Sequence, residues 1–455
     1  MEIRDVIHGS IVIDKDELPV IDSRFFQRLR HIRQLGFAEH SFPGATHNRY
    51  THSLGAMAAA THAFDTIFRG PHSKSDPGIP GRLPLPDMAP KAFGRFRAAI
   101  RLAALLHDIG HGPLSHTTEA AMPDASKLWP DGGARHDKRR ATHEDYTLKI
   151  ILDSPLTPLI ENAGAPYGMR ATHVAALIDK FTPSGDDFFI EHIEGARTDF
   201  RPLLGQLISS ELDADRMDYL RRDSLHAGVS YGEFDFDWIT ANLTSHIKDG
   251  RCFLSLQHRA LYSFEDFLIS RFHMFLMVYF HYKSVIFDSM LMKYLASPDC
   301  GYRLPADIEQ YCDCTDTQLY SHLLGSKNEW AMRTSGKRPY KMLVELHSGI
   351  PATKTAADEQ KHLLEGLRRE LDSRAIPYLS ATSTGQLSKY FSRPGDPIFV
   401  RYDNHYSEPE HFPLEKCTDL FERYSEKRHI ERLYVAPEHL GACQNLGKGL
   451  HVRLE

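Results

Sequence analysis

The stretch LAALLHDIGHGPLSH, residues 102–116, begins as an apolar helix and ends in a cluster made of His107, Asp108, His111 and His116. The helix is expected to start near Phe96 and to stop around Gly110, because Gly-His-Gly-Pro cannot comfortably continue it. His107 and Asp108 therefore stand where the chain leaves an apolar core. A buried carboxylate is costly unless it is paired or binds a metal. One imidazole beside one carboxylate suits a borderline divalent cation. The alternative is a His and an Asp that merely satisfy backbone groups at a helix end, and His111 one turn on, with His116 beyond it, weighs against that.

Two residues do not complete a metal site, and two other stretches offer partners. HNRYTHS (47–53) supplies His47, Arg49 and His52. ELDADRMDYLRRD (211–223) repeats Glu211, Asp215, Tyr219 and Asp223 every fourth residue, which puts them on one helix face. Ile208, Leu212 and Leu220 are interleaved with them, beside a buried face; taken alone, the acidic stripe reads as solvated surface.

The rest of the chain sets bounds. Its 455 residues carry 60 acids against 54 bases, a net charge of −6, which argues against a dedicated nucleic-acid binder and leaves room for a local basic pocket. With 42% hydrophobic and 25% charged residues, it has the balance of an ordinary globular protein with a sizeable core. No apolar stretch reaches the length of a membrane span and no signal peptide is recognised, so a cytoplasmic location and no membrane partner are expected. Cys300, Cys312 and Cys314 lack a matching second pair for a metal site, so the cysteines read as free thiols.

Residues 1–15 read as two short strands around a His-Gly-Ser turn. Helices are expected over 25–36 (capped by Gly36), 49–68, 205–224 and 261–295, and Pro- and charge-rich loops over 70–90 and 130–140. The last third changes character, with strands at 340–347, 376–382, 397–402 and 430–437 and helices at 357–373 and 415–427. The expected fold class is mostly α: a helical core over 1–300 and a smaller C-terminal α+β region over 301–455, with a soft boundary at 300–335 and an oligomerisation or regulatory role for the second part.

The combination FPGATHNRYTHSLG, HDIGHGPLSH, THED and DADRMDYLRRDSLHAG resembles, in order and wording, the deoxynucleoside triphosphate triphosphohydrolases of the HD phosphohydrolase superfamily. The resemblance spans about residues 3–295, with no sterile-alpha-motif segment of the kind that precedes the vertebrate enzyme's HD domain. It implies an HD-domain helical core and a metal held by His52, His107, Asp108 and Asp215. Iron, manganese, zinc or nickel suits that set, with magnesium accompanying the nucleotide. The metal would act as a Lewis acid and lower the pKa of a bound water.

The resemblance also implies that His111 and His143 are catalytic histidines, with Glu119 standing where the vertebrate enzyme has an aspartate. Arg49, Arg271 and His116 correspond to phosphate contacts, and Tyr279 to a residue near triphosphate and base. Tyr219 and Asp223 correspond to the pair under the sugar, where the tyrosine crowds out a 2′-hydroxyl. Gln34 and Leu35 correspond to readers of the sugar's 3′ side. Asp22, Gln27 and Arg30 resemble a guanine-reading effector site between subunits; the other reading of that segment is an amphipathic helix at an oligomer interface. The implied activity converts a dNTP to a deoxynucleoside and inorganic triphosphate in a nucleotide-activated dimer or tetramer. The rival readings are a nucleotidase or phosphatase on another phosphorylated metabolite, and a nucleotide sensor without turnover.

Overall fold

In a computed structural model of the chain, the described residues are 1–69, 83, 85, 89–129, 139–347, 354–385, 396–404, 406–423, 428–443 and 446. Most of the expected loop at 70–90, all but the last two residues of that at 130–140, and the end of the helix expected at 415–427 lie outside the described residues. The centre is helical. Arg49–Arg69 and Pro90–Leu106 pack against each other, and Ala214–Ala227 lies across the first of them. Small side chains such as Ala56, Ala59, Ala60, Ala99 and Ala103, all buried, let these helices approach closely. Leu102, Leu105 and Leu106 are buried in this core, each contributing about 1.5–3 kcal/mol.

Three small sheets flank this core. Glu2–Asp5 pairs antiparallel with Gly9–Val12, as the sequence predicts. A mixed sheet runs Glu410–Pro413, Phe399–Tyr402, Arg251–Gln257, Ala196–Asp199, Ile190–Ile193, with Leu243–Lys248 also paired to Arg251–Gln257. The third sheet is antiparallel, with Arg428–Val435 between Lys341–His347 and Tyr378–Gly385, and the Lys354–Ser373 helix belongs to the same C-terminal part. The mostly helical class therefore holds, as do the four strands expected in the last third. Across 300–335 the chain packs onto the core: Tyr311 Oη donates to the Gly110 carbonyl at 2.8 Å, and Asp316 accepts from the Leu114 and Arg33 N–H groups.

Four expected helices come out differently. Instead of one helix over 25–36 there are short turns, Arg24–Gln27 and Arg28–His31. Beyond them the backbone turns to a different partner: Arg49 N–H bonds the Ile32 carbonyl and Gln34 N–H bonds the His47 carbonyl. The helix from Pro90 stops at Leu106, short of Gly110, because Thr147 Oγ1 takes over, donating to the His107 carbonyl and accepting from Gly110 N–H. The 205–224 helix is split into Arg201–Ile208 and Ala214–Ala227, the second started by Asp213, whose carboxylate caps Arg216 N–H. The 261–295 helix becomes Leu261–Met274, a π-turn at Phe275–Tyr279 and Tyr282–Leu295.

Candidate active site

The turn after Leu106 sets the site. Gly110 sits so close to the start of the His143–Leu152 helix that a Cβ there would lie 2.2 Å from the His143 carbonyl oxygen and from Thr147 N. That approach brings His143 beside His111. Pro113 is followed by Leu114 and Ser115, both in the left-handed region at φ 54° and 59°, which costs of order 1 kcal/mol or more per non-glycine residue. Asp316 holds this strained turn by accepting from Leu114 N–H at 2.8 Å and Arg33 N–H at 3.0 Å.

Four side chains from two helices and the turn converge. His52 Nε2 lies 3.0 Å from Asp215 Oδ1 and 3.5 Å from Asp108 Oδ2. His107 Nε2 lies 3.4 Å from both Asp108 Oδ1 and Asp215 Oδ1. Each imidazole is oriented from behind: His107 Nδ1 bonds the Ala104 carbonyl and His52 Nδ1 bonds Asp218 Oδ2, both at 2.8 Å. Both Nε2 atoms are buried and point at the two carboxylates. Two imidazole nitrogens and two carboxylates fit a divalent transition metal, and His52, His107 and Asp108 already lie within ligand spacing of one another. Burial pulls the His52 pKa down, and the adjoining Asp215 and Asp218 carboxylates carry it up to about 10.

Cationic and titrating groups surround this cluster. Arg49, buried, contacts Asp108 through Nη1 and donates from Nε to Ser115 Oγ at 2.9 Å. Burial would raise the Asp108 pKa, but Arg49, His107 and His111 hold it well below the usual carboxylate range. His111 Nε2 is 3.3 Å from Asp108 Oδ1, and its ring stacks on that of His143. Burial, Arg49 and His143 push the His111 pKa well down. Glu119 Oε1 reaches His143 Nδ1 at 2.5 Å and the exposed His116 at 3.1 Å. Those two hydrogen bonds overcome burial and draw the Glu119 pKa down to about 2.

The acidic stripe read as solvated surface is instead an inner wall, and the element beneath it begins only at Ala214. Glu211 and Asp223 are buried. Asp223 accepts from Tyr279 Oη and pairs with His47 Nε2, both at 2.8 Å, while the Tyr219 ring lies 6.4 Å from the rings of His52 and Tyr279. Arg271 is buried against Glu211 at 2.9 Å. The π-turn supplies Tyr279, an irregularity often found where a helix serves a site. Gln34 and Leu35 are half-buried, and the Gln34 side-chain oxygen is buried without a partner. Asp22 is exposed; Gln27 Oε1 accepts from Arg30 Nε at 2.8 Å, and Arg30 lies over the Tyr50 ring at 3.6 Å.

Four residues that sequence reading did not single out complete the surroundings: His8, Asp218, Arg222 and Asp316. Asp218 and Arg222 had one local signal, a carboxylate and a guanidinium four residues apart on one helix. His8 and Asp316 had none.

Residues 49–222 match the HD domain family, and the histidine and aspartate cluster just described, apart from the surrounding groups, lies inside that span. The chain is 32% identical over 279 residues to the uncharacterized protein YwfO of Bacillus subtilis, covering 61% of this chain and 51% of that one. It is 30% identical over 342 residues to the uncharacterized protein MJ1154 of Methanocaldococcus jannaschii, covering 75% and 59%. The Dictyostelium discoideum homolog of the deoxynucleoside triphosphate triphosphohydrolase SAMHD1 is 27% identical over 326 residues, covering 70% and 54%. The chain thus spans between half and three fifths of the length of these curated relatives. A crystal structure of a hypothetical protein from Aquifex aeolicus shares the fold, with a TM-score of 0.69 at 24% identity and 98% of each chain covered. Among the described residues, no helix is long and apolar enough to cross a membrane.

Proposed function

We propose that this chain is a metal-dependent phosphohydrolase acting on deoxynucleoside triphosphates, releasing deoxynucleoside and inorganic triphosphate. The observation that carries the reading is the spacing on the Ala214–Ala227 helix. Asp215 faces the metal cluster, Tyr219 follows one turn on and Asp223 one turn further, braced by Tyr279 and His47. Asp215 to Asp223 spans about 12 Å of helix, room for a phosphate and a deoxyribose in line. The similarity to the Dictyostelium dNTP triphosphohydrolase homolog supports the same substrate class.

His52, His107, Asp108 and Asp215 would hold the metal, which supplies Lewis acidity toward a phosphate oxygen and lowers the pKa of a water. Arg49 and Arg271 are the fixed cations for the triphosphate, and His116, at the open side, adds a further contact. A water oxygen bonds to the α-phosphorus as the bond from phosphorus to O5′ breaks, its electron pair leaving with O5′. The water's proton passes into the His111 and His143 pair, backed by Glu119, and a proton is returned to O5′. Tyr219 would crowd out a 2′-hydroxyl, and Gln34 and Leu35 would read the 3′ side of the sugar. Magnesium travels with the nucleotide, and Asp22, Gln27 and Arg30 bind an activating nucleotide between subunits of a homo-oligomer.

Phosphorus NMR of products from a panel of dNTPs, NTPs and monophosphates with Mn, Fe or Mg tests the reading. Tripolyphosphate as the first product supports it. Pyrophosphate or orthophosphate as the first product makes the chain a nucleotidase or phosphatase, and binding without turnover makes it a nucleotide sensor.

A further inference from the structure

The N-terminal hairpin reaches the metal cluster through a buried polar network. Asp5, at the end of its first strand, accepts from Ile7 and His8 N–H groups at 2.9 and 3.0 Å and receives Arg222 through two guanidinium nitrogens at 2.9 and 3.1 Å. Arg222 also donates twice to Asp218, from Nε and Nη2, each at 2.8 Å. His8 Nε2 meets Asp218 Oδ1 at 2.8 Å, and His52 Nδ1 meets Asp218 Oδ2 at 2.8 Å. Asp218 and Arg222 are fully buried, and the His8 side chain is only 8% exposed.

An ionised carboxylate only accepts, so both imidazole nitrogens facing Asp218 carry hydrogen. In a neutral His52 the proton is then fixed on Nδ1 and the lone pair on Nε2, the atom aimed at Asp108 and Asp215. Space for this is reserved at Gly55, where a Cβ would stand 1.9 Å from Asp218 Oδ1 and 2.3 Å from Arg222 Nη2. Any side chain there would displace the carboxylate from His52.

We infer that Asp218 is a positioning residue for the metal ligand His52, and that His8, from the hairpin turn, positions Asp218 in turn. The hairpin is thus an outer wall of the metal centre. The inference rests on the metal-centre reading and is independent of the substrate.

Mn2+ affinity of the purified protein, by EPR and chelator competition, tests it together with the melting temperature of the metal-free protein. Asp218→Asn is expected to weaken Mn2+ binding about 10–100-fold. Two His8 variants separate hydrogen bonding from packing, because His8 also lies edge-on to Phe236 with ring centroids 6.0 Å apart. His8→Gln keeps an N–H donor and should bind Mn2+ nearly as the parent does; His8→Phe keeps the ring and should bind more weakly. Should Asp218→Asn not fold, the His8 pair decides alone. Parent-like Mn2+ affinity in His8→Phe, or tighter binding by His8→Phe than by His8→Gln, overturns the inference, even where the metal-free protein melts lower. A parent protein that binds no Mn2+ overturns the metal centre itself, a distinct result.

Discussion

The imidazole of His143 lies flat on that of His111, ring centroids 3.9 Å apart and planes within 16° of parallel. Glu119 grips the outer ring, and Asp108 lies at 3.3 Å from the inner one. Two stacked rings at this distance resist carrying two protons together, so the pair is suited to passing one. Glu119→Gln keeps the shape and removes the charge. It should lower kcat by about 10²–10⁴-fold, with KM and metal content close to the parent's. Steady-state kinetics and metal analysis check this; a parallel loss of metal would make Glu119 part of the metal site.

The same carboxylate should leave a mark on acid stability. Its folded pKa of about 2 lies below the ordinary 4.5, so the unfolded chain takes up a proton that the folded chain refuses. Its stabilising contribution is full above pH 4.5 and drains away as the pH falls toward 2. Urea melts of the parent and Glu119→Gln should therefore differ by about 2 kcal/mol less at pH 3 than at pH 6.

Asp215→Asn gives the cleaner test of the ligand set. Asp108 also balances the buried Arg49, so removing it strands a cation, at a cost of about 3–5 kcal/mol. Asp215 contacts His52 and His107 and is 35% exposed. Asp215→Asn should lose transition metal and turnover while its metal-free melting temperature falls less than that of Asp108→Asn. Full metal occupancy in that variant would remove Asp215 from the ligand set.

Asp316→Asn should loosen the turn that carries His111 and His116. Leu114 and Arg33 N–H groups bond different oxygens of the Asp316 carboxylate, and an amide nitrogen can replace neither as acceptor. One buried donor is left unsatisfied, costing about 1–3 kcal/mol, and the turn with two left-handed residues loses a restraint. Both melting temperature and kcat should fall.

Arg30→Ala tests the regulatory proposal. Arg30 covers the ring of Tyr50, the neighbour of Arg49, so ordering it by a nucleotide would act next to the arginine proposed to hold phosphate. Stimulation of one dNTP's hydrolysis by another should vanish and oligomer formation weaken, with metal content unchanged. Hyperbolic kinetics insensitive to a second nucleotide, in parent and variant alike, would reduce Asp22, Gln27 and Arg30 to packing and surface contacts.

What the sequence made legible was local. The apolar helix, the imidazoles after it and the N-terminal hairpin each follow from spacing within a dozen residues. The false helix over 25–36 shows the limit: Phe25, Phe26, Leu29 and Ile32 are all buried at the expected positions, yet short turns bury them as well as a helix would. The period-four stripe caught Asp215, Tyr219 and Asp223 and stepped over Asp218, one turn on from Asp215 and directed behind the ligands. The reading of that stripe as surface failed because charge alone does not report what packs against it. His8 and Asp316 act on residues about two hundred positions away, and no spacing rule reaches that far.

The polar network behind His52 also has a consequence in time. It joins the first residues of the chain to Asp218 and Arg222, so a nascent chain holds no finished ligand set until that helix has left the ribosome. Asp316, which pins the turn bearing His111, emerges about a hundred residues later, an interval of about 5–20 s at ordinary elongation rates. During that interval His52, His107, Asp108 and Asp215 have all been synthesised while the turn bearing His111 still lacks the carboxylate that pins it.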